Sequence, residues 1–191
     1  MGLTLNRSQL DEMGRVLVAQ SPPMDPHENP LDAPKVVSLT GGASTFCLLL
    51  SVRLADGTVR TLTLNPVVAR SVGRVCAIAN VERLWWSDEG VWLNVPYSDE
   101  ELATMADRVT DSMPPVPGME EFQLAPAAVS VFGGSCPIGM LLKFRLADGS
   151  VVAWFLSPVA VFSLYGIIDK AVDQFDWLDD EGEFIVTGPA T

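Results

Sequence analysis

The sequence predicts an α+β protein: a tandem duplication of an α-β-β-β-α-β-β unit, with antiparallel sheets, helices packed on them and a pseudo-two-fold arrangement. Three observations carry this. First, a shift of 92 residues aligns the chain with itself without a gap, giving 28 identities in 92 positions, where average residue usage gives about one in sixteen. Asp56-Gly57 falls on Asp148-Gly149, Gly41-Gly42 on Gly133-Gly134, Trp85 on Trp177, and Asp88-Glu89-Gly90 on Asp180-Glu181-Gly182. Second, hydrophobic periodicity alternates between helical and strand spacing in the same order in both halves. Third, capping and turn residues recur at the junctions. The units are 1–95 and 96–191, packed as one compact body. Two copies are too few for a solenoid, so a fused pair resembling a homodimer is the expected architecture.

Asn6 and Ser98 are side chains that cap helices, predicting helices over 7–20 and 99–112. Leu10, Met13, Val16 and Leu17 form the apolar stripe of the first, and Leu102, Met105, Ala106 and Val109 that of the second. Proline-rich loops follow, "SPPMDPHENPLDAP" and "MPPVPGMEEFQLAP". Strands are expected near 35–40, 46–54 and 58–64, with "GGAS" and "GGSC" as strand-to-strand turns. The sentence "VRLADGTVRTLTLNP" recurs as "FRLADGSVVAWFLSP". A two-residue Asp-Gly loop would pair Val52 with Thr61 and mix the faces. A three-residue Ala-Asp-Gly loop pairs Leu50 with Leu62 and Leu48 with Leu64, and in the second copy Leu142 with Trp154 and Met140 with Leu156. The opposite face then carries Ser51, Arg53, Thr61 and Thr63. Asn65-Pro66 and Ser157-Pro158 each open another helix, with a capping side chain followed by proline at the first helical position. Two short strands near 82–87 and 91–95 close the unit around "SDEG", repeated as "DDEG".

Residues 151–168 are eighteen consecutive uncharged residues, long enough to suggest a membrane span. The aligned stretch of the first copy contains Arg60, Arg70 and Arg74, which argues for a strand and helix of a soluble fold instead. No basic region followed by an apolar one opens the chain, and the three cysteines are odd in number and widely spaced, so a cytoplasmic, reduced protein is expected. An apolar content of 48% predicts a filled core. The net charge of −12 argues against direct binding to nucleic acid and suits a basic partner.

The copies differ where function is expected. Residues 1–92 hold nine acidic and eight basic side chains; residues 93–191 hold fifteen and four, a net of −11. One acidic cluster comprises Asp173, Asp176, Asp179, Asp180, Glu181 and Glu183; another comprises Asp99, Glu100, Glu101, Asp107 and Asp111 around Arg108. A solvated rim, with acids favourable at a helix N-terminus, explains such clusters without a ligand; a surface for a basic partner is the sharper reading. The second copy also becomes more apolar: Arg60 aligns with Val152, Thr63 with Phe155, Arg70 with Phe162 and Arg74 with Gly166. A helix that apolar is buried in the monomer or faces another chain, which leaves a homodimer open.

Residues with catalytic or metal-binding potential are sparse, and no catalytic, cofactor or metal site is predicted. His27, the single histidine, sits in an irregular loop without Cys or His neighbours in the sequence. Cys47 in a strand and Cys76 in an apolar helix read as core residues, and Cys136 as a loop thiol without an evident cationic neighbour. The double glycines lack a following helix and a lysine, so they are no phosphate loop. "SDEG" and "DDEG" lack calcium-loop spacing. Trp85, Trp86 and Trp92 are expected as core or interface anchors.

The order helix, three strands, helix, two strands, together with the acidity, resembles class I type III secretion chaperones. That resemblance implies an acidic dimer that binds an extended polypeptide. The residues themselves favour a non-enzymatic acidic protein-interaction module, an adaptor or stoichiometric inhibitor of a basic protein that can itself be nucleic-acid-binding. The expected contact residues are the six carboxylates from Asp173 to Glu183 with Phe155 and Phe162. The alternatives are the chaperone-like binder, and a small-ligand binder or enzyme with a site between the repeats.

Overall fold

A computed structural model describes residues 2–23, 25–116, 118 and 120–188. The first helix, α1 (Arg7–Ala19), starts where predicted. The Asn6 side chain accepts from the Gln9 N–H, and Gln9 Oε1 accepts from the Asn6 N–H, both at 2.9 Å. Strands β1 (Lys35–Ala43), β2 (Leu48–Leu54) and β3 (Val59–Leu64) follow, then α2 (Pro66–Arg83). The second series is α3 (Asp99–Asp111), a single helical turn α4 (Glu121–Leu124), β4 (Ala127–Cys136), β5 (Gly139–Leu146), β6 (Val151–Leu156) and α5 (Pro158–Phe175). Ser98 caps α3 with Glu101 completing the box, and Asn65 and Ser157 cap α2 and α5 ahead of proline.

The hairpins take the three-residue loop. Leu50 pairs with Leu62 and Leu48 with Leu64; Leu142 pairs with Trp154 and Met140 with Leu156. Gly57 and Gly149 close the loops at φ +85° and +86°, where a side chain is strained. The same register recurs 92 residues on: Gly41 faces Leu50 as Gly133 faces Leu142, and irregularities fall between Val36 and Ser38 and between Ala128 and Ser130.

The six strands differ from the expected antiparallel sheets. Each trio is antiparallel, but β3 pairs with β4 and β6 with β1 in parallel, closing one barrel. Each parallel seam is two residue pairs long, Thr63–Leu64 with Ala127–Ala128 and Lys35–Val36 with Phe155–Leu156. Closure satisfies edges that separate sheets would leave open. Alternate residues of the hairpins, including Leu50, Val52, Leu62, Leu142, Phe144 and Trp154, join the buried faces of α2 and α5 in one core. The helices pack on each other and crosswise on the strands, α2 on β4 and α5 on β1. In turn α1 packs on β4 and α3 on β1. The fully buried hydroxyls of Ser130 and Ser38 donate to the Leu17 and Ser112 carbonyls at 2.6 and 2.5 Å, satisfying helix-terminal acceptors.

Four local expectations are corrected. The double glycines lie inside β1 and β4, not in turns, and let a helix approach each strand. The strands expected near 82–87 and 91–95 shrink to a Trp86–Trp92 bridge, with Leu178–Phe184 as its counterpart. Helix α2 runs to Arg83 and stops at Leu84, which adopts the left-handed conformation at φ 54°. Both proline-rich loops contain a short helix, Pro30–Asp32 and α4. Met24, Pro117 and Met119 of those loops, and residues 189–191 of the second unit, lie outside the described residues. No helix among the described residues is long and apolar enough to cross a membrane; the eighteen-residue run divides between β6 and α5.

Candidate interaction surface

Each long helix is followed by a tail that doubles back through a tight turn. In the first, the Ser87 N–H donates to the Val91 carbonyl and the Gly90 N–H to Ser87; in the second, Asp179 donates to Glu183 and Gly182 to Asp179, all at 2.9 Å. Gly90 and Gly182 both have φ +77°. Trp85 and Trp177, each 0% exposed, anchor the tails in the core. The second tail also meets the start of the chain through a parallel Leu3–Val186 bridge.

The tails pack across the halves, each against the long helix of the other half, at the aligned positions Arg70 and Phe162. Arg70 of α2 lies against the second tail. Its guanidinium carbon is 5.0 Å from the Phe184 ring centroid, and Nη2 comes 3.8 Å from where a Cβ on Gly182 would sit. Partial burial, and then Arg74, disfavour the Arg70 cation, while Glu183 and Asp179 favour it. Phe162 of α5 lies against the first tail, with ring centroids 5.1 Å from Trp86 and 5.7 Å from Trp92, both edge-on. Its Cζ is 3.5 Å from where a Cβ on Gly90 would sit. The aligned pair Arg70 and Phe162 thus makes two different intramolecular contacts with corresponding turns.

Asp173, Asp176, Asp179, Asp180, Glu181 and Glu183 are all exposed, along the end of α5 and the second tail. Asp179 and Glu183 are the two that Arg70 feels. Phe155 is buried at 6% on β6, beside the seam with β1 and under Gly139, so packing rather than surface contact is its place. Phe162 is 38% exposed. The other acidic cluster, Asp99, Glu100, Glu101, Asp107 and Asp111, lies on the exposed face of α3, which buries only Leu102. Glu101 is held below the usual carboxylate range by hydrogen bonds from the Ser98 N–H and hydroxyl.

Two larger clefts flank these surfaces. One of about 690 Å³ lies between α1, α2 and the second tail, with Arg7, Arg15 and Arg70 around Leu10, Val67 and Phe184. One of about 650 Å³ lies between α3, β1 and α5, lined by Leu39, Val109, Met113 and Ile167 with Lys170 as its cation. Both clefts are lined by residues of both halves. His27 is exposed, and its backbone N–H donates to the Asp25 carboxylate at 2.9 Å. Among the described residues no group of three or more His, Cys, Asp or Glu side chains is placed to hold a metal ion.

Cys47 sits just before β2 rather than within it, buried, and burial pushes its thiol pKa up. Burial pushes Cys76 from 9.0 to about 12. Cys136, at the end of β4, is partly exposed. One thiol, Cys136, is therefore expected to react rapidly with Ellman's reagent at pH 8, and Cys47 and Cys76 only after denaturation. Since the unfolded Cys76 thiol ionises near pH 9 and the folded one near 12, its contribution lowers stability as pH rises through that window. Rapid labelling of all three thiols without denaturant would contradict this burial.

Comparison with protein-family models, with curated proteins and with solved structures finds no match to the chain. The geometry alone defines its class: a mixed α+β protein with, among the described residues, five α-helices packed on a six-stranded sheet.

Proposed function

We propose that the chain is a fused pair of duplicated units, 1–95 and 96–191, related by a pseudo-two-fold, and that it works as a non-enzymatic acidic protein-interaction module. It binds a basic protein as an adaptor or stoichiometric inhibitor in the cytoplasm. The observation that carries this reading is the placement of the second unit's carboxylates. Eleven of the fifteen carboxylates in residues 93–191, the half with a net charge of −11, are exposed on α3, at the end of α5 and along the second tail. Such a field attracts and orients a positively charged surface. The 28 aligned identities and the shared pairing register support the fused-pair architecture.

The test is recovery of a stoichiometric basic protein from native lysate. Raising salt from about 0.1 M to about 0.5 M is expected to release it. Asp179→Lys combined with Asp180→Lys is expected to weaken binding about tenfold. Recovery that ignores both salt and charge reversal overturns the electrostatic reading. Recovery of no stoichiometric protein favours a small ligand in the cleft between α3, β1 and α5, in which the aliphatic lining and Lys170 suit an apolar anion.

A further inference from the structure

The first tail borders a notch of about 410 Å³ between the turn Ser87–Gly90, the second half of α2 and the outer face of α5. Its walls are apolar and aromatic: Val81, Trp86, Phe162 and Tyr165. Its rim carries Asp88 and Glu89, and no lysine or arginine lines it. Phe162 is fixed by its edge-on contacts with Trp86 and Trp92, yet stays 38% exposed. Tyr165 follows it by three residues, on the same side of the helix, and is 36% exposed. Val81 is 74% exposed. Glu89 is oriented by a 2.8 Å hydrogen bond from the Ser87 hydroxyl.

The other tail shows what such a turn accommodates. Beside Asp179–Gly182 the chain seats the guanidinium of Arg70 on the Phe184 ring, near Asp179 and Glu183. At the first turn an aromatic ring, Phe162, takes the corresponding place next to Gly90. Aromatic faces and carboxylates remain there, with no internal guanidinium among the lining residues. Aromatic walls suit the flat face of a guanidinium, and rim carboxylates suit its N–H groups.

We propose that this notch receives an arginine side chain of the partner protein. The inference rests on the basic-partner reading and assigns it a specific anchoring point, on the first tail rather than within the larger acidic clusters.

The experiment is an NMR titration of the full chain with a blocked, glycine-rich pentapeptide carrying one arginine. The citrulline peptide, of the same shape without the charge, is the control. The arginine peptide is expected to shift the Trp86 and Trp92 indole N–H signals and the Gly90 amide. Binding about tenfold weaker is expected for the citrulline peptide and for Asp88→Asn. Phe162→Arg, which supplies a guanidinium from within as Arg70 does at the other turn, is expected to abolish the shifts. A thermal melt checks that this variant is folded, and Asp88→Asn decides the matter if it is not. Equal binding of both peptides, or no shift at all at the notch, overturns the proposal. Shifts confined to 99–111 or 176–183 overturn the notch while leaving the basic-partner reading intact. That reading fails separately, through salt-independent capture from lysate.

Discussion

Gly133→Ala is expected to destabilise the protein by about 2–3 kcal/mol and to lower its melting temperature by roughly 5–10 °C. A methyl group at this position would overlap Cγ1 of Val75, on the helix that crosses β4. Val75 is β-branched and stiff in a helix, so it cannot swing aside as a long side chain could. Either α2 lifts from β4 or the strand bends, and both disturb a core that α2, α5 and the barrel share. Removing Val75 Cγ1 should restore the fit, because the Val75 Cβ would be 3.4 Å from the new methyl, an ordinary contact. The double variant Gly133→Ala with Val75→Ala is therefore expected to be more stable than the sum of its parts predicts, by about 2 kcal/mol. Gly134→Ala is the internal control: its nearest neighbour would be Phe132 Cε1 at 3.8 Å, and a change within about 0.5 kcal/mol is expected. Chemical denaturation of the four variants measures all three quantities. Equal losses at Gly133 and Gly134 would place the cost in strand propensity instead of helix approach.

The double glycine also marks how far the sequence is legible. Its recurrence is plain, but "GGAS" suggests a turn because glycine serves turns and close approaches alike. Which role it plays depends on Val75 and Ile167, on helices that arrive from distant parts of the chain. Features set within a few residues read well. Asn6, Asn65, Ser98 and Ser157 announce their helices because a cap is a contact across three residues. The hairpin register follows from alternation and the Ala-Asp-Gly loop. Barrel closure has no local signal, since it depends on two parallel seams of two pairs each between strands of different units. Helix α2 ends on a left-handed leucine instead of a glycine, so its stop was hidden. The altered residues were the most informative and the easiest to misplace. Phe155 is exchanged for Thr63 at a buried seam position, while Phe162 is exchanged for Arg70 at a tail that its own unit does not supply. Sequence divergence marks a changed environment, and here much of that environment is the other half of the same chain.

A pairing that no motif announced should give the other large effect. Lys143 lies on β5 and is 7% exposed, with its ammonium paired to Glu28 in the loop after α1 and 3.4 Å from the Pro23 carbonyl. At the aligned position the first unit has Ser51, whose hydroxyl meets Thr61 across the hairpin at 2.9 Å. Lys143 stands opposite Ala153, which cannot make that bond. Glu28→Gln is expected to cost about 2–3 kcal/mol, because it leaves an ammonium largely away from water with neutral oxygen partners and no counter-charge. The cost falls below that of breaking a fully buried pair, about 3–5 kcal/mol, since the Glu28 side chain keeps 32% of its surface in solvent. Lys143→Met removes the charge along with the need for a partner, and is expected to lie within about 1 kcal/mol of the parent. In that background Glu28→Gln should lose most of its effect. The loop should respond too: limited proteolysis near His27 is expected to quicken in Glu28→Gln, where the tie between loop and barrel loses its charge and weakens. A loss below about 0.5 kcal/mol in Glu28→Gln would mean that Lys143 reaches water without disturbing the barrel. A loss that persists in Lys143→Met would locate the role of Glu28 in the loop alone. The opposite responses expected from the two single variants follow from the asymmetry of burying a charge. The pair need add little to stability for the loss of its exposed member to be costly.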